Sequence, residues 1–395
     1  MFLRQKRVYL DFAAATPPCK DVLRLVQKKI QTNFANPDSL YKEGREEALA
    51  LLNARKSVAT TLGVLKEEII FTSGGTESNN LAISGIIKSF LKNNPGNTPH
   101  IITSKIEHSS ILEVCTDWQS KGVEVTFLSP QENGMIDPKD VEEALKANTV
   151  LVSLMYVNNE IGTINPIKDI ARVIRKFKNT HHSVFPFFHT DAVQAPNYIP
   201  LSLQSLGVDL LSLDGLKIYG LKGTGCLFKK KNISLEPVFF GGGQEAGQRP
   251  GTSNTLGAES FAVALSYVQH NAQKESQRLS LLRDFFVDKL LTLPKTTLNG
   301  SLGDDRIPNN VNICIQGLDA EYMVYLLDEA GFAVSSASTC MNNKEDSYSY
   351  VVKEIQKKEC EKSSLRFTFG MTTTKKDLEK CFEMVKKLLP LALSL

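Results

Sequence analysis

A run of short apolar segments, each followed by a polar cluster, constrains this chain more than any other feature. The segments are "EEIIFTS", "HIITS", "EVTFLS", "TVLVSLMYV", "SVFPFFHTD" and "VDLLSLD". Between them lie stretches such as "ESNNLAISGIIKSFLKNN" and "IKDIARVIRKFKNT", whose apolar residues recur at helical spacing. Alternation of strand and helix over about 180 residues implies βαβ units and a mainly parallel sheet. Helices on both faces of that sheet explain strands that are apolar nearly throughout.

The pattern changes at the Gly/Pro-rich "FFGGGQEAGQRPGTSNT" (239–255). A helical pattern from Leu256 to Leu293 follows, long enough to join two domains. Beyond Pro294, strands ("VNICIQ", "LRFTF") mix with helices ("AEYMVYLLDEA", "KKDLEKCFEMVKKLLPLAL"). The expected architecture is α/β: a large domain with a mainly parallel sheet flanked by helices, plus a smaller α+β C-terminal domain. A length of 395 residues suits about two domains. No internal repeat or low-complexity tract interrupts the chain.

Composition narrows the class. Apolar residues make up 42%, enough for buried cores and against wholesale disorder. A net charge of +3 gives no whole-protein attraction to nucleic acid or membrane. The one strong basic run, Lys229-Lys230-Lys231, reads as a solvated turn. The start, "MFLRQKRVYLDF", lacks the apolar core of a signal peptide, and no apolar span suits a membrane helix. Seven cysteines are scattered without a C-x-x-C pair, so neither a disulfide framework nor a zinc ribbon is expected. A reducing cytoplasm is the simplest compartment.

In open parallel sheets, ligands bind beyond the carboxyl ends of the strands. Ser73-Gly74-Gly75-Thr76 follows the first run, and Glu107-His108 the second. Asn158-Asn159-Glu160, then Asp191 to Gln194, then Lys217 follow later ones. Five of the six strand ends thus carry chemically able residues. Gly75 and Thr76 open a helix, which suits an anion or a simple cap. His108 suits stacking on a planar group or an ordinary loop. Asp191 is costly to bury unless paired with a cation, such as a protonated pyridine nitrogen, or else it caps a helix. Lys217 is a candidate for a Schiff base, which a partly desolvated amine can form. The surrounding "GLKGTG" is not a P-loop, and no dinucleotide fingerprint occurs between strand and helix. The histidines make no case for a metal; His181-His182 reads as an exposed loop pair.

These segments resemble the cysteine desulfurases, fold-type I pyridoxal-phosphate enzymes of the class V aminotransferase group. The resemblance runs nearly end to end, through "YLDFAAATPP", "FTSGGTESNNLAI", "IITSKIEHSSILEVC", "VNNEIGTINPI", "HTDAVQ", "GVDLLSLDGLKIYGLKGTG", "GGGQEAGQRPGT", "AVSSASTC" and "SSLRFTFG". It implies conversion of L-cysteine to L-alanine by a homodimer that carries pyridoxal 5′-phosphate. By that resemblance Lys217 forms the Schiff base, Asp191 pairs with the pyridine nitrogen and His108 stacks on the ring. Asn159 and Gln194 lie near the ring hydroxyl. Gly75 and Thr76 hold the phosphate, with Thr252 reaching it from the other subunit. Arg366 binds the substrate carboxylate. Cys340, in the polar "SSASTCMNNKEDSYS", is the nucleophile that takes the sulfur as a persulfide. The 26-residue step from Cys340 to Arg366 suits the longer-loop subgroup, whose cysteine hands sulfur to an acceptor protein. The implied domains are 15–257, which binds the cofactor, and 1–14 with 258–395.

Several positions depart from the family pattern. Ser-x-His-Lys is replaced by Asp214-Gly215-Leu216-Lys217. A carboxylate about 4 Å from a phosphate charge costs on the order of a few kcal/mol at an effective dielectric of about 20. Asp214 then turns away or holds a proton, Ser212 or water substitutes, and cofactor affinity falls. Tyr41, Leu221 and Met371 stand where histidine, proline and arginine are usual. The short end after the last helix implies that a tail for gripping an iron–sulfur scaffold protein is absent. Two rival readings stay open: a lyase favouring selenocysteine, and an impaired family member kept as a binding or scaffold protein. The sulfur acceptor, in iron–sulfur cluster assembly or tRNA thiolation, is not legible.

Overall fold

The alternation of strand and helix builds a seven-stranded sheet. The structure is a computed structural model that describes residues 7–336, 348–355 and 358–393. Across the sheet the strands are Ile69–Thr72, Gly225–Lys229, Leu210–Asp214, Phe187–Asp191, Thr149–Ser153, His100–Ser104 and Glu124–Leu128. The last five are mutually parallel, whereas Gly225–Lys229 runs antiparallel to both of its neighbours. The six apolar runs all form strands, and all but the edge strand Glu124–Leu128 are buried on most of their residues.

Helices cover the sheet for the reason read in their periodicity. Helix Ile167–Thr180 buries Ile167, Ile170, Ala171 and Ile174, one stripe at helical spacing. Each buried isoleucine there contributes about 2 kcal/mol. Helix Gly75–Asn93 buries residues on more than one side, because it lies over several strands and also meets helix Ser109–Ser120.

Gly225–Lys229 corrects the sequence reading. Its Lys229 belongs to the sheet and is 5% exposed. The amine is satisfied by the Ile233 carbonyl at 2.7 Å, which is how a lysine becomes tolerable inside. Lys230 pairs with Asp209 at 2.7 Å, and of the three only Lys231 is exposed. His181 and His182 are exposed as expected.

The C-terminal half begins with the 36-residue helix Thr255–Leu290. A four-stranded antiparallel sheet follows in the order Ser335–Ser336, Ser364–Thr368, Asn310–Ile315, Thr296–Leu298. The N-terminal strand Val8–Tyr9 pairs in parallel with Phe332–Ala333, and Asp11 bridges to Thr368. This stitching brings Asp11 to the strand that carries Arg366.

Cys314 and Cys360 form a disulfide with Cα atoms 5.3 Å apart. That departs from the expectation of scattered thiols, because the pairing is made by tertiary neighbours 46 residues apart. Cys19, Cys115, Cys226 and Cys381 are free and buried. Among the described residues no helix is long and apolar enough to cross a membrane.

Candidate active site

Strand Leu210–Asp214 ends in a single helical turn, Gly215–Lys217. The Asp214 carboxylate caps it, Oδ1 accepting from the Leu216 N–H at 2.8 Å. Gly215 is required, since a Cβ there would lie 2.1 Å from Thr224 Oγ1. Gly225 is required too, because its Cβ would meet the Gly74 backbone at 2.5 Å. The turn is pinned from outside: Thr16 Oγ1 donates to the Leu216 carbonyl at 2.7 Å, and Asn197 Nδ2 to the Lys217 carbonyl at 2.7 Å. Lys217 Nζ donates to the Ala13 carbonyl at 2.9 Å and also to that of Ala14.

Asp191 closes its own strand and is 8% exposed. Its Oδ1 accepts from the Val193 N–H at 2.9 Å and its Oδ2 from Asn79 Nδ2 at 2.8 Å. Burial pushes its pKa up, and these hydrogen bonds with the nearby His108 oppose the rise. His108 caps helix Ser109–Ser120, its Nδ1 accepting from the Ser110 N–H at 3.1 Å. Burial lowers the imidazole pKa. A neutral ring whose Nδ1 accepts a hydrogen bond carries its proton on Nε2.

Arg366 is 5% exposed. One guanidinium N–H group donates to Asp11 Oδ1 at 2.9 Å, another to the Asn159 carbonyl at 3.0 Å. Arg366 Nε and Asn159 Oδ1 are buried without a hydrogen-bond partner among the described residues. Gln194 Nε2 donates to the Ala13 carbonyl at 3.0 Å, the same oxygen that receives Lys217.

One cavity of about 370 Å³ gathers these groups. Lys217, Asp191, His108 and Arg366 line it, as do Gly75, Thr76, Asn159 and Gln194. Thr252 is exposed and lines a different, smaller cavity with Thr224 and Arg249. Cys340 lies outside the described residues. Asn79 and Asp11, which the sequence reading did not single out, belong to the site. Asn79 stands four residues beyond Gly75 on the same helix, so helical periodicity was the available signal.

The donor set fits a pyridoxal-type cofactor at its ring end. An amine and a carboxylate on separate strand ends flank the cavity, and the orphaned Asn159 amide oxygen awaits a polar partner. At the phosphate end the arrangement is unusual. Asp214 does not turn away: it lines the cavity, and its Oδ2 accepts from the Gly75 N–H at 3.0 Å. Ser212 does not substitute, because it is fully buried and its Oγ bonds His189 Nε2 at 2.9 Å.

Residues 8–381 match the family model described as Aminotransferase class-V. The chain is 38% identical to "Cysteine desulfurase IscS" of Dictyoglomus turgidum, over 98% of this chain and 95% of that protein. It is 37% identical to the protein of the same name from Methanosarcina thermophila, over 97% and 92%. Among solved structures, a "NIFS-LIKE PROTEIN" superposes with TM-score 0.89 at 29% identity, covering 98% of this chain and 100% of the other. "SspA in complex with cysteine" superposes with TM-score 0.77 at 34% identity, over 91% and 98%.

Proposed function

We propose, from the premise that this chain belongs to the aminotransferase class-V family and is a pyridoxal-phosphate-dependent cysteine desulfurase, that the Lys217 cavity is its active site and Cys340 its nucleophile. The observation that carries this reading is the convergence of Lys217, Asp191 and Arg366 on one cavity. When bound, the cofactor supplies an electron sink joined to the substrate amine.

The chain's own residues do the rest. Lys217 Nζ anchors the cofactor and moves a proton once released from the Ala13 and Ala14 carbonyls. Asp191 supplies the negative charge for a protonated ring nitrogen, held in place by Asn79 and the Val193 N–H. His108 presents a flat neutral imidazole for stacking. Arg366 takes the substrate carboxylate, its orientation set by Asp11 and the Asn159 carbonyl. Asn159 and Gln194 would face the ring hydroxyl, and Thr76, with Gly75 where Asp214 yields its N–H, would face the phosphate. The Cys340 thiolate forms a bond to the substrate sulfur as the carbon–sulfur bond breaks. Cysteine and thiol become alanine and a persulfide, with a proton returned to the substrate carbon.

The finer reading is a homodimer, with Thr252 of the partner subunit reaching the phosphate; the exposure of Thr252, which does not line the Lys217 cavity of its own subunit, supports it. The cofactor-binding domain is 15–257, and 1–14 joins 258–395. The protein acts in the cytoplasm and passes sulfur to an acceptor protein of iron–sulfur cluster assembly or tRNA thiolation. A cysteine-to-alanine assay with persulfide mapping, run with and without added pyridoxal phosphate, tests the core of this. Alanine formed only with cofactor, and sulfur on Cys340, is the expected result. Alanine without any protein persulfide would overturn it.

A further inference from the structure

The N-terminus of helix Gly75–Asn93 is the natural seat for an anion in this cavity, with unpaired N–H groups and a favourable dipole. In this chain an anion already sits there. Asp214 Oδ2 accepts from the Gly75 N–H at 3.0 Å while Oδ1 holds the Leu216 N–H at 2.8 Å. The approach is close: a Cβ on Gly74 would lie 3.1 Å from that same Oδ2, and one on Gly75 3.5 Å. The next residue along, Leu216, lines the cavity with an apolar side chain, so it offers a phosphate no donor. Ser212, two residues before Asp214, is committed to His189.

We propose that Asp214 is an internal competitor for the 5′-phosphate of the cofactor, so that this chain selects its cofactor by the ring and gains little from the phosphate. The proposal rests on the reading of this cavity as the pyridoxal-phosphate site. Two anions cannot both accept from the Gly75 N–H, and a phosphate entering the helix terminus must displace the carboxylate or lie beside it. The ring-end hydrogen bonds are separate, since Asp191, His108 and Lys217 make none of these contacts, and Asp214 reaches Asp191 and His108 only through its charge. Unphosphorylated pyridoxal therefore keeps every ring contact and gives up only what Thr76 and Thr252 of the partner subunit offer a phosphate beside Asp214.

The test is equilibrium titration of cofactor-stripped full-length protein with pyridoxal 5′-phosphate and, separately, with pyridoxal, read by calorimetry and by the Lys217-dependent absorbance band. In the wild type the two affinities lie within about tenfold of each other. Asp214→Asn keeps an acceptor for the Leu216 N–H but removes the charge. It tightens pyridoxal phosphate by about tenfold or more and leaves pyridoxal within about threefold. Asp214→Ser repeats the test if the asparagine variant fails a thermal-unfolding check. Equal shifts for both ligands, or no shift in either, would overturn the proposal. A band that persists in Lys217→Ala would remove the site reading itself, whatever Asp214 does.

Discussion

The Arg366 guanidinium is clamped by the Asp11 carboxylate at 2.9 Å, across a gap of 355 residues in sequence. The Asn159 carbonyl holds its other side at 3.0 Å. The two partners engage both terminal nitrogens, which fixes the plane of the guanidinium before any ligand arrives. Arg366→Lys keeps the charge but loses the planar fork. It lowers kcat/KM for cysteine by about a hundredfold, mostly through KM. Asp11→Asn leaves the arginine present but less well aimed, and costs about tenfold. Steady-state kinetics with cysteine, alongside an unchanged cofactor titration, checks both.

Glu107, next to His108, makes a pH prediction. It is fully buried, with Oε1 accepting from Ser104 Oγ at 2.7 Å and from the Met155 N–H at 2.9 Å. Oε2 has no partner. Burial pushes its pKa from an ordinary 4.5 up to about 8. Below 4.5 both folded and unfolded chains hold the proton, so stability does not depend on it. Between 4.5 and about 8 the unfolded chain releases the proton and the folded chain keeps it, so stability falls as pH rises. Glu160, raised to about 7 by burial, adds the same sign over a narrower window. Glu107→Gln cannot ionise and loses its share of this slope. Urea unfolding at pH 5 and pH 8 should therefore show a smaller pH loss in the variant than in the wild type, by on the order of a few kcal/mol.

Ser212 separates structure from cofactor chemistry. Its hydroxyl bonds His189 Nε2 at 2.9 Å, and Ser153 Oγ meets the other ring nitrogen at 2.8 Å. Ser212→Ala leaves a buried imidazole half-satisfied, which costs about 1–3 kcal/mol of stability. Cofactor affinity should stay within about twofold, since the hydroxyl does not reach the cavity. A large loss of pyridoxal phosphate binding in a folded variant would count against this assignment.

Much of this was legible beforehand, for definite physical reasons. Strand periodicity marked the parallel sheet, and the rule that ligands lie beyond strand ends singled out His108, Asp191 and Lys217. Gly225–Lys229 escaped notice because glycine and lysine are poor strand signals and only its neighbours, Ile69–Thr72 and Leu210–Asp214, make it a strand. The direction of Asp214 was likewise undecidable. Whether a carboxylate turns toward or away from a cavity depends on Gly75, a residue 139 positions away. Asp11 was hidden for the same reason, since its role depends on the N-terminal segment pairing with the C-terminal sheet.

The proposed role of Cys340 as nucleophile agrees with what the other thiols cannot do. Cys115 is buried and its pKa is pushed up to about 12. Burial also raises the Cys226 and Cys381 thiols, which keeps them protonated and poor nucleophiles. Cys19 is 5% exposed and lies in the hydrophobic core, whereas Cys314 and Cys360 are joined to each other. None of these six lines the Lys217 cavity. Cys340→Ala should therefore bind pyridoxal phosphate and cysteine as the wild type does, yet lose alanine formation by about a hundredfold or more. Mass spectrometry of the wild type after a single turnover should find the extra sulfur on the peptide that contains Cys340. Full sulfur transfer by Cys340→Ala would reject Cys340 as the nucleophile.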